Sequence, residues 1–321
     1  MPQYDYTSMG FITFDCLGWP FTGVPPGGGT VFIDELTLAV SGAAGTAVIA
    51  AAKMGLKSLA AGGVGDDLMG DWVLQRLSHF GVDTSCMQRQ PGWKTSSSIV
   101  TTRHDGSRPA LHMLGATGNF FVDDAMAEKI TDTRVFHAGG VGLMAAMDKG
   151  RTAEVMKLAK AKGAITTVDI FASSPNDLPA IAQVLPFTDF FMPSIEEAQA
   201  LTGLVKHGDI ARRFFDLGAS CCVFTLGGDG AYFHHKSGQS FYMPAFDIVV
   251  KCTCGCGDAF NAGFAVGLVK GFSSEETVRL AQATSALNAT GLGSQAGVVS
   301  FEDTLAFARN TRTRPAVQAD G

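Results

Sequence analysis

Apolar and polar positions follow two rhythms along this chain. Runs with most or alternate positions apolar read as strands, and runs with apolar positions three or four apart read as helices. Gly10–Asp15 carries Phe11, Ile12 and Phe14 and reads as a strand leaving a core. A Pro/Gly-rich loop, Trp19–Gly29, separates it from a second strand in Thr30–Val40. Ala44–Met54 is Ala-rich and helical, Ser58–Gly63 is a short strand, and Asp71–Phe80 is a helix closed by Gly81. Ser96–Thr102 and Pro109–Leu114 flank an Asp105-Gly106 turn, the pattern of a β-hairpin.

Beyond residue 120 strands and helices take turns. Val135–Ala138, Ile165–Ile170, Asp189–Met192 and Cys221–Leu226 read as strands. Thr152–Lys162, Leu178–Leu185, Ser194–Leu201, Asp209–Leu217 and Glu275–Asn288 read as helices, and Ala231–His235 with Gln239–Met243 as a hairpin. Such alternation predicts an α/β fold with a mainly parallel sheet covered on both faces. Residues 1–13, 41–92 and 116–321 are assigned to that core. Residues 14–40 and 93–115 are β material placed as a small lid at the carboxyl ends of its strands, where open α/β sheets bind ligands.

Composition narrows the function classes. The chain has 321 residues, 46% hydrophobic and 17% charged, enough apolar surface for a large core. The net charge is −6 with no basic cluster, which argues against nucleic-acid and anionic-membrane partners. No apolar run approaches the roughly 20 residues of a membrane-spanning helix, and the first residues lack a signal-peptide pattern. The seven cysteines read as reduced thiols in a cytoplasmic protein.

The candidate chemistry lies in Phe246–Leu268, read as a strand, a glycine loop (Gly255, Gly257) and a helix starting near Asp258. Glycines let backbone N–H groups approach a ligand, and a helix N-terminus adds about half a positive charge, so the segment forms an anion cradle. Asp258 is read either as a plain N-cap or as a carboxylate aimed into the site. No P-loop occurs, and Gly291-Leu-Gly293 follows a helix, which argues against a dinucleotide fingerprint. Cys252, Cys254 and Cys256 lack the spacing and second ligand pair of a zinc site.

Gly255-Cys-Gly-Asp258-Ala-Phe resembles the C-terminal signature of the ribokinase-like (PfkB) carbohydrate kinases. Four more stretches are similar in the same order: Gly10–Asp15, Ser41–Ala47 continuing through Gly63–Gly70, Pro193–Glu197, and Thr225–Ala231. The resemblance implies a three-layer α/β/α core with a β-sheet lid, and ATP-dependent phosphorylation of a primary hydroxyl of a sugar. It implies that Gly255, Cys256 and Gly257 hold the transferring phosphoryl and that Asp258 takes the acceptor's proton. Asp15, Thr13, Gly42, Ala43 and Thr46 would bind the acceptor. Thr225, Gly227 and Gly230 would lie along ATP, Asn288 near its adenine, and Glu197 would organise Mg²⁺ through water.

Departures from the pattern are Ser41 for Gly, Thr46 and Ser194 for Asn, and Cys252 for Asp. The last replaces a hard oxygen ligand with sulfur, so weak or absent K⁺ activation is expected. Trp19, Phe21, Trp93, Phe120 and Phe121 fall in or beside the lid segments, where they would either stack on a nucleobase or form the lid's own core. Two further readings follow: a nucleoside kinase of the adenosine type, and a sugar- or nucleoside-sensing protein that has lost turnover. Open lid edges allow a homodimer.

Overall fold

The computed structural model describes residues 2–315. Its strands are β1 (Tyr4–Gly10), β2 (Thr13–Trp19), β3 (Glu35–Ser41), β4 (Ser58–Gly65), β5 (Asp83–Gln90), β6 (Ser97–Thr101), β7 (Ala110–Met113), β8 (Thr133–Val141), β9 (Ile165–Ile170), β10 (Phe190–Phe191), β11 (Cys221–Thr225), β12 (Ala231–His235) and β13 (Ser240–Met243). Its helices are α1 (Ala43–Lys53), α2 (Leu68–His79), α3 (Asp124–Ile130), α4 (Arg151–Ala161), α5 (Leu178–Ala182), α6 (Ile195–Thr202), α7 (His207–Asp216), α8 (Cys256–Lys270), α9 (Ser274–Ala289) and α10 (Phe301–Asn310).

The main sheet has nine strands in the order β13-β12-β11-β10-β9-β8-β1-β4-β5. All neighbours run parallel except at the β11–β12–β13 end. Successive side chains point to opposite faces, so each strand feeds two cores. Phe136 and Ala138 of β8 pack with Val155 of α4 and Phe214 of α7 on one face. Val135, the residue before Phe136, packs with Ala47 of α1 and Val266 of α8 on the other. Cys222 and Phe224 of β11 join the first core, while Cys221 and Val223 join Phe260 and Phe264 of α8. The result is the expected three-layer α/β/α core.

The second sheet has four strands, β3-β2-β6-β7. One cross-strand row reads Ala39–Asp15–Ser98–His112 and the adjacent row reads Leu38–Cys16–Ile99–Leu111. Asp15 is 4% exposed, whereas Ile99 is 57% and Leu111 73% exposed. The first row therefore faces the core's ligand side and the second faces outward.

Several boundaries differ from the sequence reading. Gly10–Asp15 is not one strand. β1 ends at Gly10 and β2 begins at Thr13, because Phe11 turns the chain between the sheets: its N–H donates to Gly139 O (2.9 Å) and its carbonyl accepts from Ala44 N (3.0 Å). β1 and β5 carry too little alternation to stand out. Helix α2 starts three residues earlier than Asp71, with Asp67 as its N-cap accepting from Gly70 N at 2.9 Å. Phe246–Val250 is not a strand. Phe246 makes one isolated bridge to Thr313, while Ile248 and Val250 wall a cavity.

Candidate active site

The site is built where α1 and α8 point their N-termini at the space under the lid. Gly42 caps α1 with φ +81°, and a Cβ there would lie 2.5 Å from Phe11 O. Only glycine fits that approach. Gly255 caps α8 with φ +71°, and its Cβ would lie 2.7 Å from Ser294 Oγ. No side chain caps α8, so the amides of its first turn are left to the cavity. A Cβ on Gly257 would meet nothing within 4 Å, which leaves room for a group to dock there.

Asp258 stands third in α8, and Gly255 occupies the N-cap position. The plain N-cap reading of Asp258 is thereby overturned. Its carboxylate lies near that of Asp169, at the carboxyl end of β9, and near Glu197 in the first turn of α6. All three are pushed up from the ordinary carboxylate range. Burial is the main cause for each; repulsion from Asp258 adds to it for Asp169 and Glu197, and repulsion from Asp15 adds to it for Asp258. Asp169 is held well above that range, first by burial and then by repulsion from Asp258 and Glu197. The Arg108 guanidinium, the Thr46 hydroxyl and Asp169 oppose the upward shift of Asp258.

Two cavities converge on this turn. One, of about 450 Å³, is lined by Thr225, Gly227, Gly230, Phe246, Ile248 and Gln282. The other, of about 590 Å³, is lined by Thr13, Asp15, Gly42, Ala43, His112, Asp169, Glu197 and Asp258. Arg108, Ser194, Thr225, Cys256 and Gly257 border both. A ligand spanning them would pass over the N-terminus of α8.

The elements that hold these groups are locally specified. Ser194 and Glu197 form a capping box on α6: Glu197 Oε2 accepts from Ser194 N (3.0 Å) and Oγ (2.8 Å), and Ser194 Oγ accepts from Glu197 N (3.3 Å). A parallel bridge joins Ser194 to Thr225. Gly230 adopts φ +110°, where a Cβ would lie 1.9 Å from Met243 O, so the turn after β11 can close only on glycine. In the lid, Thr13 Oγ1 donates to Asp15 Oδ1 (3.2 Å) and Ser98 Oγ bonds His112 Nδ1 (3.0 Å). Burial pushes the Asp15 carboxyl up, while the hydroxyls of Ser98, Ser41 and Thr13 and the nearby His112 oppose that shift.

Two expected ligand contacts are placed elsewhere. Asn288 is wholly buried and lines neither cavity. Its Nδ2 donates to Cys254 O (2.7 Å) and its Oδ1 accepts from Gln295 N (2.6 Å), so it braces the loop before α8. Thr46 is wholly buried behind Gly255, with its hydroxyl near Asp258 but without a hydrogen bond. It touches the site through Asp258 and not through the acceptor cavity.

Of the five aromatics, none lines either cavity. Phe120 joins the main core and Trp19 packs on the lid's cluster of Leu17, Val100 and Cys252. Sequence reasoning missed Asp169, Arg108 and His112. An aspartate ending the apolar run Ile165–Ile170 was the available signal for Asp169, since a buried parallel strand rarely carries a charge without cause. The other two carried none.

The chain is 25% identical over 239 residues to an ATP-dependent 6-phosphofructokinase of Thermoanaerobacterium thermosaccharolyticum, covering 73% of each chain. It is 23% identical over 312 residues to a ribokinase of Haemophilus influenzae, covering 94% of this chain and 97% of that one. The fold superposes on Arabidopsis thaliana ribokinase complexed with ribose and ATP with a TM-score of 0.80, at 20% identity, over 95% and 99% of the two chains. Residues 25–300 match the model of the pfkB family of carbohydrate kinases. With that match over most of its length, and with the ribokinase fold around the α8 cradle, the chain belongs to the pfkB carbohydrate kinase family.

Proposed function

We propose that this protein transfers the γ-phosphoryl of ATP to a primary hydroxyl of a sugar or sugar-containing small molecule. The observation that carries the reading is the shared wall: two cavities meet at the uncapped first turn of α8, and Asp258 faces one of them. Phosphoryl transfer needs alignment and charge neutralisation more than covalent chemistry. ATP would lie along Thr225, Gly227 and Gly230, with its terminal phosphoryl on the amides of Gly255–Asp258. The acceptor would sit against Asp15, Thr13, Gly42 and Ala43, its hydroxyl directed at Asp258. Asp258 takes the proton as the new P–O bond forms and the bond from the γ-phosphorus to the bridging oxygen breaks, releasing ADP, and the helix amides receive the charge that spreads over the phosphoryl oxygens.

Asp169 and Glu197 suit a Mg²⁺ ion held through water. Their carboxylates border the acceptor cavity beside Asp258, and their mutual repulsion is a negative charge that a divalent cation would relieve. When bound, Mg²⁺ offsets phosphate charge on ATP. No potassium requirement is included. Sulfur stands at position 252, where Cys252 Sγ accepts from Cys254 N at 3.4 Å. A homodimer through the outward lid face and a cytoplasmic setting for the seven free thiols complete the reading.

The test is ATP consumption by the purified chain with Mg²⁺ and a panel of ribose, deoxyribose, fructose, fructose 6-phosphate, 2-dehydro-3-deoxygluconate and nucleosides. Turnover with a sugar is expected. Turnover confined to nucleosides would replace the acceptor class, and acceptor binding without turnover would make the protein a sensor.

A further inference from the structure

The loop that leads into α8 carries thiols at alternate positions, Cys252, Cys254 and Cys256, and phosphoryl transfer as read above uses none of their sulfurs. The first two touch. Cys252 Sγ accepts from Cys254 N at 3.4 Å and from the Cys254 thiol. Thr102 Oγ1, just past β6, lies 3.5 Å from the same sulfur. Cys254 lines the acceptor cavity, and its Sγ lies 3.8 Å from Ser294 Oγ. Burial pushes the thiols of Cys86, Cys221, Cys222 and Cys256 up. Cys252 goes the other way, down to about 5, because the Cys254 thiol, Thr102 and Cys254 N all bond its sulfur. Cys254 keeps its proton, held first by the bond to Cys252 and then by burial. The cavity wall thus holds a thiol and a thiolate in contact.

The pair stands on the frame of the phosphoryl cradle. Asn288 Nδ2 holds Cys254 O at 2.7 Å, Thr253 N donates to Gly106 O at 3.3 Å, and Gly255, the N-cap of α8, follows at once. The loop has little slack, since a Cβ on Gly255 would lie 2.7 Å from Ser294 Oγ and 3.1 Å from Thr46 Cγ2. Pulling Cys254 toward Cys252 therefore moves the turn that presents the α8 amides.

We propose that Cys252 and Cys254 form a reversible disulfide when a hydroperoxide enters the acceptor cavity, and that this bond displaces the head of α8 and stops transfer. The second half rests on the kinase reading above; the first does not. The Cys254 proton passes to Cys252 along their hydrogen bond, leaving the nucleophilic thiolate on the cavity side. That thiolate attacks the outer peroxide oxygen: the S–O bond forms, the O–O bond breaks, and the alkoxide leaves as alcohol with the proton taken back from Cys252. The Cys252 thiolate then attacks the Cys254 sulfenic sulfur. The S–S bond forms, the S–O bond breaks, and hydroxide leaves as water with a proton from solvent. The sulfurs lose one electron pair and the peroxide gains it. A thiol reductant reverses the change by exchange.

The experiment exposes the purified chain to hydrogen peroxide and compares it with chain kept in dithiothreitol. The oxidised chain is expected to lose two hydrogens in intact mass and to show a Cys252–Cys254 link in its peptide map. Its kcat on the acceptor found in the panel is expected to fall about 100-fold, the scale of a misplacement of roughly 1 Å, and to return with dithiothreitol. Saturating acceptor is expected to slow the link by filling the cavity. Cys252→Ser is expected to form no link and to stop at a single added oxygen on Cys254. An oxidised wild type in which these two cysteines remain unlinked would overturn the proposal. A complete link with unchanged kcat and ATP affinity would overturn the switch. If no panel compound is turned over, calorimetry decides: the linked chain is expected to bind ATP at least about tenfold more weakly, the loss of one hydrogen bond to a charged group. A reduced chain that binds no ATP would overturn the kinase reading and the switch with it, while the peptide map still decides the disulfide.

Discussion

Asp258 owes its reactivity to a balance of neighbours. Burial and Asp15 push its carboxyl up; Arg108, Thr46 and Asp169 oppose that shift. Replacing it with Asn keeps the shape and removes the base, so kcat should fall at least about 100-fold while the melting temperature does not drop. Near-normal turnover in Asp258→Asn would remove it from the role. Its raised pKa also sets the acid side of the pH profile. Because the base must be ionised, kcat/KM should climb with pH through an apparent pKa above the ordinary aspartate value of about 3.9. Asp169 offers the complementary test in stability. The folded chain holds its proton more tightly than the unfolded chain does. Its favourable contribution is therefore present at low pH and lost as pH rises through the folded value. Asp169→Asn should raise the melting temperature at pH 8, by roughly 1–4 °C, and leave it unchanged near pH 3. An equal shift at both pH values would contradict that assignment.

At the scale of elements, legibility followed the strength of the local pattern. Ile165–Ile170 and the hairpin strand Ala231–His235 were read to the residue, because apolar runs and turn residues bound them sharply. The helix after the glycine loop was placed two residues late, since Asp258 looks like a cap and the true cap is a left-handed glycine, Gly255. The extended stretch Ile248–Val250 has a strand's composition, but its apolar side chains serve a cavity wall. The partners of Asn288 are brought together only by the fold, so its bracing role left no mark in sequence. Gly42 and Gly81 offer a paired test of how tightly the elements close on the site. Both have positive φ, +81° and +76°, but only Gly42 would press a Cβ onto backbone, at Phe11 O; Gly81 faces open space. Gly81→Ala should cost about 1–2 kcal/mol. Gly42→Ala should cost at least about 1 kcal/mol more, the added penalty of overpacking, as read from urea unfolding. Equal losses would mean that the Phe11 turn yields.

At the scale of the molecule, the lid's outer face is unusual. Leu38, Ile99 and Leu111 lie in one row across the four strands, with Cys16 between the first two, at 43%, 57% and 73% exposed, and Leu36 is 62% exposed nearby. Exposed apolar patches of this kind mark association surfaces. Light scattering should find a dimer, and Leu111→Glu should shift it to monomer without loss of fold. A monomeric wild type would end the idea.

Between β1 and β2 the chain passes from one sheet to the other through only two residues, Phe11 and Ile12, and Phe11 is pinned to β8 and α1. So short a splice fixes where the lid stands but not what it displays: Asp15, Ser98 and His112 are ordinary strand positions that can be exchanged one at a time. On the proposed reading, descendants of such a chain can drift from one acceptor to another by recolouring a single row of side chains, while the turn at the head of α8 is inherited untouched.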